Sequence, residues 1–199
     1  VQEIMRDHPR VSVSLEGAQR EQSETFSSLL PMFILALFII YALLAIPLRS
    51  YGQPLIIMSV IPFAFVGAVW GHIIMKALGL LDSMAIMSIM GIVAASGVVV
   101  NSSLVLVHAV NHRRADGISV NDAVIEAAVS RCRPILLTSL TTFAGLTPLL
   151  LNQSVQAGVL IPMATSVAWG VMLATVVTLL VVPAGYLILD DAGARSSSV

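Results

Sequence analysis

Five apolar stretches dominate this chain, each long enough to cross the roughly 30 Å hydrocarbon core of a bilayer, which takes about 20 helical residues. They cover residues 29–48, 54–75, 84–110, 134–151 and 159–189, and no Asp, Glu, Lys or Arg lies deep within any of them. Apolar residues make up 57% of the 199 and charged residues only 11%, whereas ordinary soluble domains carry about 25% charged residues. So few charges could not cover the surface of a soluble protein, and lipid must be part of the solvent. The expected fold class is an all-α polytopic membrane protein with five transmembrane helices.

Other function classes find no support. The net charge is -1 and no basic run exists to follow a phosphate backbone, so no nucleic-acid partner is expected. Cys132 is the sole cysteine, which rules out an internal disulfide and the Cys-pair spacing of a metal site. There is no nucleophile–base arrangement and no phosphate-cradling loop. An enzyme is not expected, and neither catalytic residues, a metal nor a cofactor is assigned.

The chain opens at Val1 on a polar stretch, without an initiator Met or a signal segment, and reads as a fragment that starts inside a larger protein. Residues 1–28 are the part that reads as soluble. Val11, Val13 and Leu15 alternate with Ser12 and Ser14, the period of a half-buried strand, and Gly17 ends it. Residues 18–28 are polar, helix-compatible and feed into the first span. The spans at 84–110 and 159–189 exceed the necessary length and must tilt, kink or begin at the interface. Pro62, Pro148, Pro162 and Pro183 lie in or near the spans, and each removes a backbone donor that neighbours must compensate.

Basic residues set the expected orientation. Arg49 falls in the first connection and Arg113, Arg114, Arg131 and Arg133 in the third, while the second carries only Lys76 and the fourth no Lys or Arg. The odd connections are therefore expected on the cytoplasmic side, as is the polar tail 190–199 with Arg195, expected to fray. Ser119 and Asp122 read as a capping box opening a helix over 119–130 on the cytoplasmic interface. Pro134 is a candidate break between that helix and the next span.

Two polar stripes stand out within the lipid spans. The third span carries Asn101, Ser102 and Ser103, with Asn101 about 14 Å from the cytoplasmic end at 1.5 Å per residue. Gly97, Asn101 and His108 share one helical face. In the fourth span Thr138, Thr141, Thr142 and Gly145 follow helical spacing, and Arg131 extends that stripe if the helix is unbroken. Two readings are open. The hydroxyls and amide hold helices together, the threonines bonding back to the preceding turn, or they belong to a polar network around a proton site. His72 and the Gly67/Gly71 pair read as packing positions.

The segments Ser50–Met58 with Ile61-Pro62-Phe63, GIVAASGVVVNSSLVLVH at 91–108, RCRPILLTSLTTFAGLTPLLL at 131–151, Ile161-Pro162-Met163-Ala164 and Val182-Pro183-Ala184 resemble, in order and spacing, the C-terminal membrane half of resistance-nodulation-division (RND) exporters of the AcrB-like type. The resemblance implies a half-bundle preceded by an α/β remnant of the periplasmic porter domain at 1–28. It also implies proton-driven antiport across the bacterial inner membrane by a multidrug-resistance type of pump, with the C-terminus cytoplasmic. The expected partners are the lipid bilayer, the N-terminal membrane half of the same chain, two further copies in a homotrimer, a periplasmic adaptor (membrane fusion) protein and an outer-membrane channel.

By position, Asn101 matches a lysine of the drug-exporting branch, Arg131 its network arginine and Thr138 its network threonine, while Ser102 stands where many relatives carry Asp. The resemblance thus implies a proton-relay network of Asn101, Ser102, Arg131 and Thr138, supported by Gly97, Ser103, Thr141, Thr142 and His108. Alternatives are a protein-translocation accessory subunit of the SecD/SecF type and a non-transporting membrane scaffold. The substrate (drug, metal or lipid) is not legible.

Overall fold

The computed structural model describes residues 18–81, 86–152 and 154–196. All regular structure among them is helical: α1 (Ala18–Leu48), α2 (Gly52–Met58), α3 (Ile61–Ala77), α4 (Ile86–Ala115), α5 (Val120–Leu150), α6 (Val155–Gly158) and α7 (Ile161–Ser196). The expected strand at Val11–Leu15 lies outside the described residues. The chain forms two compact units, 1–39 and 40–199. The described part of the first is the leading stretch of α1, which is polar to Ser28 and apolar beyond it. The second holds the end of α1 and all the other helices.

Four helical segments among the described residues are long and apolar enough to span a membrane: Pro31–Leu48, Gly52–Ala77, Ile86–Ala115 and Ile161–Asp191. They coincide with four of the five expected spans. The remaining stretch, 134–151, is diluted by Thr138, Ser139, Thr141, Thr142 and Thr147 and belongs to a longer helix, α5. Pro134 does not end that helix. Breaking it would free several backbone groups, whereas one proline removes a single donor. Half of the capping box at its start forms: the Asp122 amide donates to Ser119 Oγ at 3.3 Å, while the Asp122 carboxylate accepts from the Ser119 hydroxyl at 2.7 Å and not from its backbone N–H.

Proline acts differently in the second span, which is two helices. α2 ends at Met58, a turn at Ser59 and Val60 intervenes, and Pro62 occupies the first turn of α3. That position tolerates the missing N–H. Pro162 likewise opens α7. At the far end α7 continues through Asp190 and Asp191 to Ser196, so the expected frayed tail is helical through residue 196. Gly79 and Gly117 take positive φ of 70° and 84° and close α3 and α4. Leu80 N bonds to Met75 O and Ile118 N to Arg113 O, the six-to-one bond of a glycine-terminated helix.

Helix α7 is the axis of the second unit, packing along α3, α4 and α5. Small residues bring the helices together. A Cβ on Gly67 would lie 2.7 Å from the Trp169 carbonyl oxygen, and one on Gly91 would meet that of Met163. Ala64, Ala68, Ala95, Ala164, Ala168 and Ala174 are buried in the same seams. Apolar side chains gain little from leaving lipid for one another, so close packing of this kind and buried hydrogen bonds carry the association.

Candidate functional site

The four residues of the expected relay lie on α4 and α5. On α4 the buried face runs through Gly91, Ala95, Val99, Ser103, Leu106 and Val110, whereas Ala94, Gly97, Asn101, Val105, His108 and His112 are exposed. Asn101 is two residues from Ser103, or about 200° round the helix. Ser103 turns inward to α7 while Asn101 turns away from it. The Asn101 amide has no hydrogen-bond partner among the described residues.

On α5 the unbroken helix carries Arg131, Pro134, Thr138, Thr141, Gly145 and Pro148 at spacings of three and four residues, and all six are exposed. The threonines bond backward. Thr138 Oγ1 donates to Pro134 O at 2.9 Å, Thr142 Oγ1 to Thr138 O at 2.8 Å, and Thr141 Oγ1 reaches Leu137 O and Thr138 O, each at 2.9 Å. Ser102 Oγ likewise donates to Val98 O at 3.2 Å. No hydrogen bond joins any two of Asn101, Ser102, Arg131 and Thr138 among the described residues. The chain presents them outward, on two stripes.

Glycine distinguishes these stripes from the packed seams. A Cβ on Gly97 or Gly145 would meet nothing within 4 Å, whereas Gly67, Gly71, Gly91 and Gly170 are pressed against α7 or α3. The smallest residues of the two outward faces thus leave room beside the polar side chains.

Three polar clusters escaped sequence reasoning. The first lies in the α7 seams: Ser139 Oγ and Thr175 Oγ1 are 2.5 Å apart, and Ser103 Oγ and Thr178 Oγ1 are 3.5 Å apart, all four buried. Ser103, expected to support the outward network, belongs to this inner one. Thr175 and Thr178, three residues apart in an otherwise aliphatic stretch, were the available signal. In the second cluster, His72 is buried with Nδ1 at 2.8 Å from Ala68 O and Nε2 at 2.9 Å from Ser88 Oγ.

The third cluster ties α2, α4 and α7 together at the α4 C-terminus. Gln53 and Asn111 exchange amide hydrogen bonds at 3.2 and 2.8 Å, the Tyr186 hydroxyl donates to Asn111 Oδ1 at 2.7 Å, and Arg114 pairs with Asp190 at 2.9 Å. Nothing in the sequence pattern links these residues, whose bonded pairs lie up to 76 positions apart.

Comparison with known proteins gives concordant matches. The swarming motility protein SwrC of Bacillus subtilis (strain 168) is 30% identical over 189 residues, covering 92% of this chain and 17% of that protein. The crystal structure of a heavy metal efflux pump superposes with a TM-score of 0.72 at 25% identity, over 96% of this chain and 19% of the pump. The chain thus spans less than a fifth of the length of either relative. The AcrB/AcrD/AcrF family model matches residues 2–190. Its bundle of apolar helices and the extent of that match make this chain a member of the AcrB/AcrD/AcrF family, the RND-type membrane transporters.

Proposed function

We propose that this chain is the second membrane half of a proton-motive-force-driven exporter, an antiporter of the inner membrane, and that the outward stripes of α4 and α5 face the first half. One observation carries the reading. Asn101 is an amide midway along a membrane helix without a partner among the described residues, and it shares its face with Gly97, where a Cβ would meet none of them within 4 Å. Leaving such an amide in hydrocarbon without a hydrogen bond costs about 4–8 kcal/mol on the cyclohexane scale. That cost is removed by a polar partner on another helix, and the glycines at 97 and 145 leave room for one to approach.

In this reading the proton-carrying carboxylates belong to the first half. Asn101 and Thr138 orient them by hydrogen bonding, Arg131 supplies positive charge near the α5 start, and Ser102 lines the approach. With neutral Asn101 and Ser102 where relatives carry a lysine and an aspartate, charge balance during protonation falls on Arg131 and the partner half. The C-terminus then lies in the cytoplasm. The assembly would be a homotrimer working with a periplasmic adaptor and an outer-membrane channel. One relative bears a motility name and another exports heavy metal; selection among metal, drug and lipid rests on domains beyond this chain.

The test is substrate-driven proton flux in vesicles holding the full-length protein. Asn101→Ala and Thr138→Ala should each lower coupled flux about tenfold, corresponding to about 1.4 kcal/mol in the barrier, with unchanged protein level. Flux equal to that of the unmodified protein in both variants would refute the relay role.

A further inference from the structure

Arg133 lies only two residues from Arg131 but on another side of α5, because the helix is unbroken through Pro134. Val129, Arg133, Leu136 and Leu140 recur at helical spacing and are all exposed. This ridge is about half a turn from Thr138, so it cannot serve the polar stripe. Val129, Cys132, Arg133, Leu136 and Leu137 line an open groove of about 500 Å³. Four of those five are apolar or thiol side chains, and Arg133 forms no ion pair or hydrogen bond among the described residues.

Position along the helix gives the second constraint. Arg133 stands seventeen residues before Leu150, the end of α5, or about 25 Å at 1.5 Å per residue. Taken as the remaining expected span, that stretch is close to the thickness of the hydrocarbon core, and the guanidinium then stands at one boundary of the acyl region. A cation there, above an apolar groove running toward the bilayer centre, matches a molecule with an anionic head and a hydrocarbon tail.

We propose that this groove is a binding site for an anionic phospholipid. Arg133 donates in bidentate fashion to the phosphate, as guanidinium geometry favours. Leu136 and Leu137, on the Leu150 side of Arg133, receive the first part of an acyl chain, and Val129, one turn toward water, borders the headgroup. A free phosphate would gain nothing from those three side chains, and a polar peptide would leave them unsatisfied, so the lipid is the occupant that uses the whole groove. The proposal is independent of proton coupling and its test does not measure transport.

Cys132, in the groove wall, is the reporter. The full-length protein is placed in nanodiscs of phosphatidylcholine alone or of phosphatidylcholine with phosphatidylglycerol, and alkylation of Cys132 by N-ethylmaleimide is followed at the peptide level. Phosphatidylglycerol should slow the reaction about fivefold more in the unmodified protein than in Arg133→Gln, the factor expected for one arginine near an anionic surface. Lys76→Gln, remote in sequence, should keep the full effect, and Leu137→Trp, which fills the groove, should abolish it. An equal lipid effect with and without Arg133 overturns the proposal. So does equal protection by inorganic phosphate in pure phosphatidylcholine, or a Leu137→Trp protein with the lipid effect intact.

Discussion

Ser139 and Thr175 face each other across the α5–α7 seam with their hydroxyl oxygens 2.5 Å apart, both buried among apolar side chains. Each serine or threonine in a membrane helix can satisfy itself on the preceding turn, and Ser139 also does so on Ile135 O at 3.1 Å. With the Ser139 proton on Ile135 O, Thr175 Oγ1 is the donor across the seam, and cross-helix hydrogen bonds of this kind contribute about 0.6–2 kcal/mol. Thr175→Val, which keeps the shape and removes the hydroxyl, is predicted to lower the stability of the full-length protein by about 1 kcal/mol. Thr178→Val, whose partner Ser103 is 3.5 Å away, should cost less. Reversible unfolding in mixed micelles measures both, and the reverse order would contradict the assignment.

The two kinds of glycine predict two kinds of defect. At Gly91 a Cβ would sit against the Met163 carbonyl oxygen and 2.7 Å from Ser166 Cβ, so Gly91→Ala must push α4 from α7. A cost of about 1–3 kcal/mol is expected, as for overpacked cores, seen as a lower yield of folded protein. At Gly97 and Gly145 a Cβ meets nothing within 4 Å among the described residues, so Gly97→Leu and Gly145→Leu should leave folding of this half intact. In the proposed assembly they block the approach of the first half, so export should fall while protein level holds. Normal export by both leucine variants would contradict the pairing of these faces.

Asn111 is the hub of the polar cluster at the α4 C-terminus, since its side chain meets both Gln53 and Tyr186. Asn111→Ala would leave the half-buried Gln53 amide and the Tyr186 hydroxyl without this partner, at about 1–3 kcal/mol. Tyr186→Phe removes the bond donated to Asn111 and the 3.5 Å bond accepted from Arg114 Nη1, and should cost about 1–3 kcal/mol. Because the two changes share a contact, the double variant should lose less than their sum. Strict additivity in chemical unfolding would show that the cluster does not act as a unit.

How far these features were legible in the sequence depends on the range of the interaction. Hydropathy picked out the four apolar helical segments because each is a local property of about 20 consecutive residues. The capping box was equally local. Pro62 and Pro134 look alike in sequence, yet one opens a helix and the other sits inside one. Pro62 falls in the first turn of α3 and Pro134 at an exposed interior position of α5, a difference the proline itself does not encode. The outward stripes were readable as periodicity, and continuity through Pro134 supplied the missing link between Arg131 and Thr138. The inner pairs were not, because a back-bonded threonine has the same pattern whether it faces lipid or another helix, and Thr175 is 36 residues from its partner.

Whether the stripe of Asn101 and Thr138 meets protein or acyl chains can be measured directly. Spin labels at 101, 138, 136 and 140 of the full-length protein in bilayers, one at a time, report collision with dissolved oxygen, which concentrates in hydrocarbon. The account predicts low oxygen accessibility at 101 and 138 and high accessibility at 136 and 140, on the opposite ridge of α5. Equally high accessibility at all four positions would place Asn101 and Thr138 in lipid and contradict their role at the junction of the two halves.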